Sequence, residues 1–292
     1  MKAILSKSLI YLCLCVLCSF SVFPKTTLQN DNFEELTLTL NTKANKTILL
    51  EPISIVISLE NKTSYPITGH SALKFSKRRI GLIVSYKGVT QKIKDLSPLR
   101  PFTLIAPKII NPGDKYSVTE NLDINLSENF PEAASYEIQA IFYDIKEQKQ
   151  ITSNKMIIEI EQPKGLDLEA FKHIQSTMNS SLSSAIGNSN EEEILREFIK
   201  KYKGSTYEKY ASYMLAEFYF VRHNYVEVIA CLKPIIPQKS FTSFEGVLSY
   251  MTQSYIKVGQ KEEAKRYMNI LESDYPTSEE LDKCRNEMAS SK

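Results

Sequence analysis

The side chains best able to do chemistry in this sequence are few and scattered. His70, His173 and His223 are its three histidines, scattered along the chain with no supporting motif around any of them. A metal site needs three or four converging donors, so these positions predict no metal and no cofactor. His70 beside Ser71 offers the residue types of a base and a nucleophile. Adjacency in the chain is not the hydrogen-bonded geometry that such a pair and its orienting group require. Glu51, just before Pro52, is a conspicuous carboxylate that reads as structural at a strand edge. Of five cysteines, Cys13, Cys15 and Cys18 fall in the N-terminal apolar run, which leaves Cys231 and Cys284. An oxidising compartment would let that pair bridge, and burial on helices would leave both as free thiols. The expectation is a non-catalytic protein with one candidate disulfide, Cys231–Cys284, and no catalytic residues.

The N-terminus carries an address. Lys2 and Lys7 precede the apolar run 9–20, and Ser19 and Ser21 supply small residues behind it. A charged start, an apolar run and a small-residue site form a secretory signal peptide, and this run is too short to span a bilayer. The prediction is a signal peptide over 1–21, a polar tether over 22–32, and export to a periplasm, cell envelope or the outside. No membrane span is expected in the mature chain. Leu17 before Cys18 argues against lipidation, whose motif wants a small residue there. Loss of Lys2 and Lys7 brings 36 basic residues down to 34, against 34 acidic ones. A chain near neutrality has no electrostatic footprint for nucleic acid.

Two different periods follow. Leu36, Leu38 and Leu40; Ile53, Ile55, Ile57 and Leu59; Tyr136, Ile138, Ala140 and Phe142; and Met156, Ile158 and Ile160 alternate with mostly polar residues. This is the pattern of half-buried strands. Further strands are expected over 80–86, 101–106 and 116–126, with turns at Glu60–Lys62, Asn111–Asp114 and Phe130–Glu132. Gln162-Pro163-Lys164-Gly165 ends this part, and from there the period is helical. The prediction is a β-sandwich over 33–162 and a helical domain over 166–292, each with its own core and separable by proteolysis at the junction.

The helical part repeats itself. Ser205 with Glu208, Thr242 with Glu245, and Thr277 with Glu280 each place a hydroxyl three residues before a glutamate, as in a capping box. Leu215, Ala216, Tyr219, Val228 and Leu232 match Met251, Thr252, Tyr255, Ala264 and Met268 at a constant offset of 36, and His223 matches Gly259. An offset near 34 is the period of helical-hairpin repeats. Pro234 interrupts one second helix, and Pro276 closes the later unit.

On these residues the chain resembles two families. The order of strands, with Leu50-Glu51-Pro52-Ile53, the Pro112-Gly113 turn and the Tyr136-x-Ile138-x-Ala140 strand, is similar to immunoglobulin-like domains of exported bacterial proteins. The Leu-Ala-x-x-Tyr, Gly and Ala pattern over 206–277 resembles the tetratricopeptide repeat. That resemblance implies an inner face lined by the first helix of each pair: Tyr210, Tyr213, Glu217, Phe220, Ser249, Gln253 and Lys257. It implies a protein or peptide partner held there by a non-catalytic interaction or assembly module. Tyr65, Tyr86 and Tyr143 mark an alternative, a surface- or carbohydrate-binding sandwich with the helices as spacer. A hydrolase is the remaining and weakest alternative, since no nucleophile, base and orienting group come together in sequence.

Overall fold

The computed structural model describes residues 35–42, 44–68, 80–93, 109–122, 130, 132–143, 149–177, 190–276 and 278–291. The expected signal peptide, tether, strand over 101–106 and residue Thr277 lie outside them, as does His70. Among the described residues, all strands precede all helices. The strands are β1 Leu36–Thr42, β2 Lys46–Ile48, β3 Ile53–Asn61, β4 Ile67–Thr68, β5 Ile80–Tyr86, β6 Val89–Ile93, β7 Ile109–Ile110, β8 Lys115–Leu122, β9 Ser135–Tyr143, β10 Gln150–Thr152 and β11 Met156–Glu161. Seven helices follow: α1 Gly165–Thr177, α2 Glu191–Lys201, α3 Thr206–Val221, α4 Tyr225–Leu232, α5 Phe244–Lys257, α6 Lys261–Asp274 and α7 Glu279–Ser290.

Strands β1, β3 and β8 form one antiparallel sheet, and β2, β11, β9, β5 and β6 form a second, with β10 added to β9. The β4–β7 pair is separate. Strand β2 runs parallel to β11 while β1 pairs antiparallel with β3, so the N-terminal stretch serves both main sheets. The period-2 residues point into one core. Leu36, Leu38, Leu40, Ile53, Ile55, Ile57, Leu59, Tyr136, Ile138, Ala140, Phe142, Ile158 and Ile160 are all buried. Full burial of an Ile or Leu side chain stabilises by roughly 1.5–3 kcal/mol, so an inverted register in β3 alone would forfeit several such contributions.

Asn61, in the expected turn signal Glu60–Lys62, ends β3 as a buried hub. Its Nδ2 donates to the carbonyls of Tyr65 and Ile110 at 2.9 Å, and its Oδ1 accepts from Thr63 N and Oγ1 at 3.0 and 2.6 Å. All four of its hydrogen-bonding positions are filled, which offsets the cost of burying an amide. The Asn111–Asp114 turn forms as expected, with Gly113 at φ +81° and Gly113 N donating to Asn61 O.

The helices form hairpins in chain order, α3 against α4 and α5 against α6, with α7 packed on α5. The repeat offset survives in the backbone. His223 and Gly259 both take positive φ, +60° and +79°. Asn224 N donates to Tyr219 O, and Gln260 N to Tyr255 O, both at 2.9 Å. These are six-to-one closures that satisfy the last carbonyls of α3 and α5. Leu215, Ala216, Tyr219, Val228 and Leu232 are buried, as are Met251, Thr252, Tyr255 and Ala264, while Met268 is half-buried.

Two capping expectations need correction. Ser205 does cap α3, accepting from Glu208 N at 3.2 Å, although Glu208 reaches back to Gly204 N rather than to the cap residue. Thr242 does not cap α5. Ser243 holds that position without a side-chain cap bond, because the Thr242 hydroxyl is bonded to Pro52 O. Ser278 caps α7, accepting from Glu280 N and Leu281 N. Cys231 and Cys284 are free thiols, so the candidate disulfide is not formed. Burial of each residue between helices pushes both thiols up to about 11, away from the thiolate that disulfide exchange needs.

Candidate functional site

The stripe of α3 at spacings 3, 4 and 3 is one face of a helix, and the structure gives each of its residues a neighbour within the protein. Tyr210 is buried, with its ring 4.8 Å from Phe241. Tyr213 is half-buried between Phe241 and Tyr250, at 5.8 and 5.9 Å between ring centres. Its hydroxyl lies over Gly246, where a Cβ would run into it. Glu217 accepts from Tyr250 Oη at 3.2 Å. Phe220 packs on Tyr250 at 4.7 Å and on Tyr225 at 5.7 Å.

The residues of α5 turn to α7 in the same way. Ser249 is buried and donates to Glu280 Oε2 at 2.7 Å, while accepting from Gln253 Nε2 at 2.9 Å. Lys257 pairs with Glu287. The seven expected inner-face residues thus fall in two groups, those of α3 against Phe241 and Tyr250, and those of α5 turned to α7, with Gln253 bonded to Ser249 within its own helix. Beyond them the face carries Phe241, Tyr225 and Tyr250, which the repeat pattern did not single out. Tyr250 and Tyr225 were legible only as aromatics, since neither stands at a repeat-matched position. Val221, one helical turn past Glu217, is 74% exposed, and Val226 across the hairpin is 65% exposed.

A second cluster joins strands to helices, and Glu51 is part of it. The first turn of α3 carries Tyr207, Lys209 and Tyr210. Tyr207 is fully buried and donates to Leu49 O at 2.6 Å. Desolvation by burial, then the Asp167 and Glu51 charges, raises its phenol above the ordinary tyrosine range. Glu51 takes Lys209 Nζ and Tyr210 Oη, both at 3.2 Å, and accepts from Thr47 Oγ1 at 3.2 Å. Thr242 Oγ1 donates to Pro52 O at 3.0 Å, and Ser54 Oγ donates to Thr242 O at 3.3 Å. Asp167 of α1 accepts from Thr206 N and Oγ1 at 2.6 and 3.0 Å, so a carboxylate sits at the positive end of α3.

A third cluster links α2, α3 and α4. Tyr219 Oη donates to Glu192 and receives Arg196 Nε and Nη2 at 3.0 and 2.6 Å. Burial, then the Glu192 hydrogen bond, pushes the Tyr219 phenol up to about 12. The bond from Tyr219, followed by that from Arg196, lowers the Glu192 carboxyl. The cluster's charged ends are about half exposed, so it reads as a tie between helices.

The two described histidines have different surroundings. His173 lies against Phe198 and Tyr202, and His223 Nδ1 is 2.8 Å from Tyr225 Oη. Among the described residues no three His, Cys, Asp or Glu side chains could hold a metal ion, and no helix is long and apolar enough to cross a membrane. The three tyrosines expected to mark a sandwich-borne binding row are not all exposed. Tyr143 is buried, Tyr86 is stacked on Tyr136 at 4.7 Å, and Tyr65 is half-buried beside the Asn61 hub.

No family model and no curated relative matches the chain. Among solved structures, it is similar to the alkylpurine DNA glycosylase AlkC of Pseudomonas fluorescens at 10% identity and a TM-score of 0.28. That match covers 44% of this chain and 30% of the glycosylase. It is also similar to the sporulation control protein Spo0M of Bacillus subtilis, at 8% identity and a TM-score of 0.28, over 49% of this chain and 56% of that one. The CARDB domain of a Pyrococcus furiosus protein matches at 8% identity and a TM-score of 0.24, covering 44% of this chain and 96% of the domain. The chain thus spans less than two thirds of the first two. Likenesses at these scores carry no argument for fold or activity.

Proposed function

We propose that the protein is an exported, non-catalytic interaction or assembly module, an immunoglobulin-like sandwich followed by a tetratricopeptide-like array. The sandwich reading is supported by Tyr136 at the start of β9, whose hydroxyl donates back to Glu132 O at 2.7 Å. That bond resembles the tyrosine corner of immunoglobulin-type domains. The array reading is supported by the matched closures after Tyr219 and Tyr255, 36 residues apart. Export rests on the three-part N-terminus.

The observation that carries the functional reading is the half-buried run of rings Tyr213, Tyr250, Phe220 and Tyr225, beside exposed Val221. Rigid aromatics that keep one edge in water bury partner surface at low entropic cost, as at interface hot spots. Because the ring faces also hold the helices together, the partner meets the exposed margin of the stripe at Glu217, Phe220 and Val221. The test is capture of partners from the native envelope fraction on wild-type protein and on Val221→Asp. At 74% exposure the substitution should leave stability within ~0.5 kcal/mol and weaken capture more than fivefold. Unchanged capture by a normally folded Val221→Asp protein would move the binding site off this face. N-terminal sequencing of the same fraction should find a start near Val22, and an intact Met1 on cytosolic protein would refute export.

A further inference from the structure

The sequence reads as two domains meeting at Gln162–Gly165, yet the strongest polar cluster outside the aromatic face crosses that boundary. From these contacts we infer that the first turn of α3 is a fixed joint, through which strands and helices fold and unfold as one cooperative unit. The short connection contributes, since Pro163 is buried and α1 begins two residues later at Gly165.

The joint grips α3 from two sides. Asp167 holds Thr206 from α1, which is tethered to β11 through that connection. The β2–β3 loop holds the same turn from the strand side, through Leu49 O on Tyr207 and Glu51 on Lys209 and Tyr210. Glu51 and Lys209 keep only 20% and 19% of their side-chain surface, so their pairing is shielded from the solvent that weakens surface ion pairs. The loop is bent to make these contacts. Leu50 takes φ +65°, a conformation that disfavours a residue with a β-carbon. A strained residue persists where its surroundings over-determine it, and here both flanking residues are bonded to α3. The same loop reaches α5 through Thr242 on Pro52 O, while Asn121 of β8 donates to Ser243 Oγ at 3.2 Å. Removing α3 would leave the Leu49 carbonyl and the Glu51 carboxylate without partners they hold here, and removing the loop would strand the Tyr207 hydroxyl in a core. Each half therefore depends on the other.

The test is hydrogen exchange by mass spectrometry on the full chain across a urea series, following β3 and β9 beside α3, α5 and α6. In the wild type, strand and helix segments should lose protection at one shared midpoint. Lys209→Met, which removes the ion pair while keeping the apolar stem, should lower both midpoints equally, and Tyr207→Phe should lower both further. Should Tyr207→Phe fail to fold, the wild type and Lys209→Met still decide the matter. Helices that lose protection in the wild type while the strands stay protected would overturn the joint, as would a Lys209→Met shift confined to one half.

Discussion

Gly246→Ala is the sharpest test of the inner face, because two effects of known size oppose each other there. Gly246 lies inside α5 with ordinary helical backbone, so alanine gains about 1 kcal/mol of helix propensity. Against that, its new methyl meets the Tyr213 hydroxyl. Overpacking of this kind costs about 1–3 kcal/mol. The alternative is for Tyr213 to swing outward and give up its contacts with Phe241 and Tyr250, pairs worth about 0.5–1.5 kcal/mol each. The tyrosine is half-buried and can move, so the lower part of that range applies. The net expectation is a loss of up to about 1 kcal/mol. In a Tyr213→Phe background the hydroxyl is gone and the nearest ring carbon lies 3.3 Å from the new methyl, a tight contact that a small ring shift relieves. There the same alanine should be neutral or should stabilise. Urea denaturation of the four proteins, read by circular dichroism at fixed m, gives a coupling energy that is independent of whatever else the tyrosine hydroxyl contributes. Coupling below ~0.5 kcal/mol, or a wild-type Gly246→Ala protein that gains the full ~1 kcal/mol, would refute the packing of Tyr213 across α5.

Three further outcomes follow from the geometry. Leu215→Ala, at 2% exposure between α3 and α4, should cost roughly 2–5 kcal/mol in the same denaturation assay. Cys231 and Cys284 should resist thiol reagents at neutral pH until denaturant is added, and reductant should leave the melting temperature unchanged. The pKa of His173 is lowered by burial and then by the charge of Lys201, so folding favours the neutral ring. Its contribution is fully present above the ordinary value of ~6.5 and is lost as pH falls through the folded value, which exchange at α1 should report, with His173→Gln abolishing the dependence.

The periodic parts of the molecule were plain in the sequence for a physical reason. Strand alternation follows from the pleat, and β1, β3, β9 and β11 fall where their leucines, isoleucines and tyrosine predict. The offset of 36 was legible because the same backbone closure must be made after Tyr219 and after Tyr255. Composition alone would not have marked the first of them, since His223 takes positive φ where the later unit uses glycine. Helix faces were legible only up to a rotation of roles. Spacing put Tyr210, Tyr213, Glu217 and Phe220 on one stripe correctly, yet spacing has no knowledge of the next helix, whose Tyr250 and Gly246 occupy that stripe.

What the sequence concealed is what long-range contacts decide. Thr242 with Glu245 carries the same local signature as Ser205 with Glu208, and only one of them forms a cap. Ser205 has its helix as nearest partner, whereas Thr242 lies against the β2–β3 loop and hydrogen-bonds Pro52 O, 190 residues away in sequence. Glu51 shows the converse. It stood out in the sequence and read as structural, and its structural role is to hold Lys209 and Tyr210 of α3 from the strand side. Both cases concern the same few residues, where a local preference and a partner from the other half compete for one hydroxyl or carboxylate. Where the distant partner wins, local pattern stops being informative, and here that boundary coincides with the joint between strands and helices.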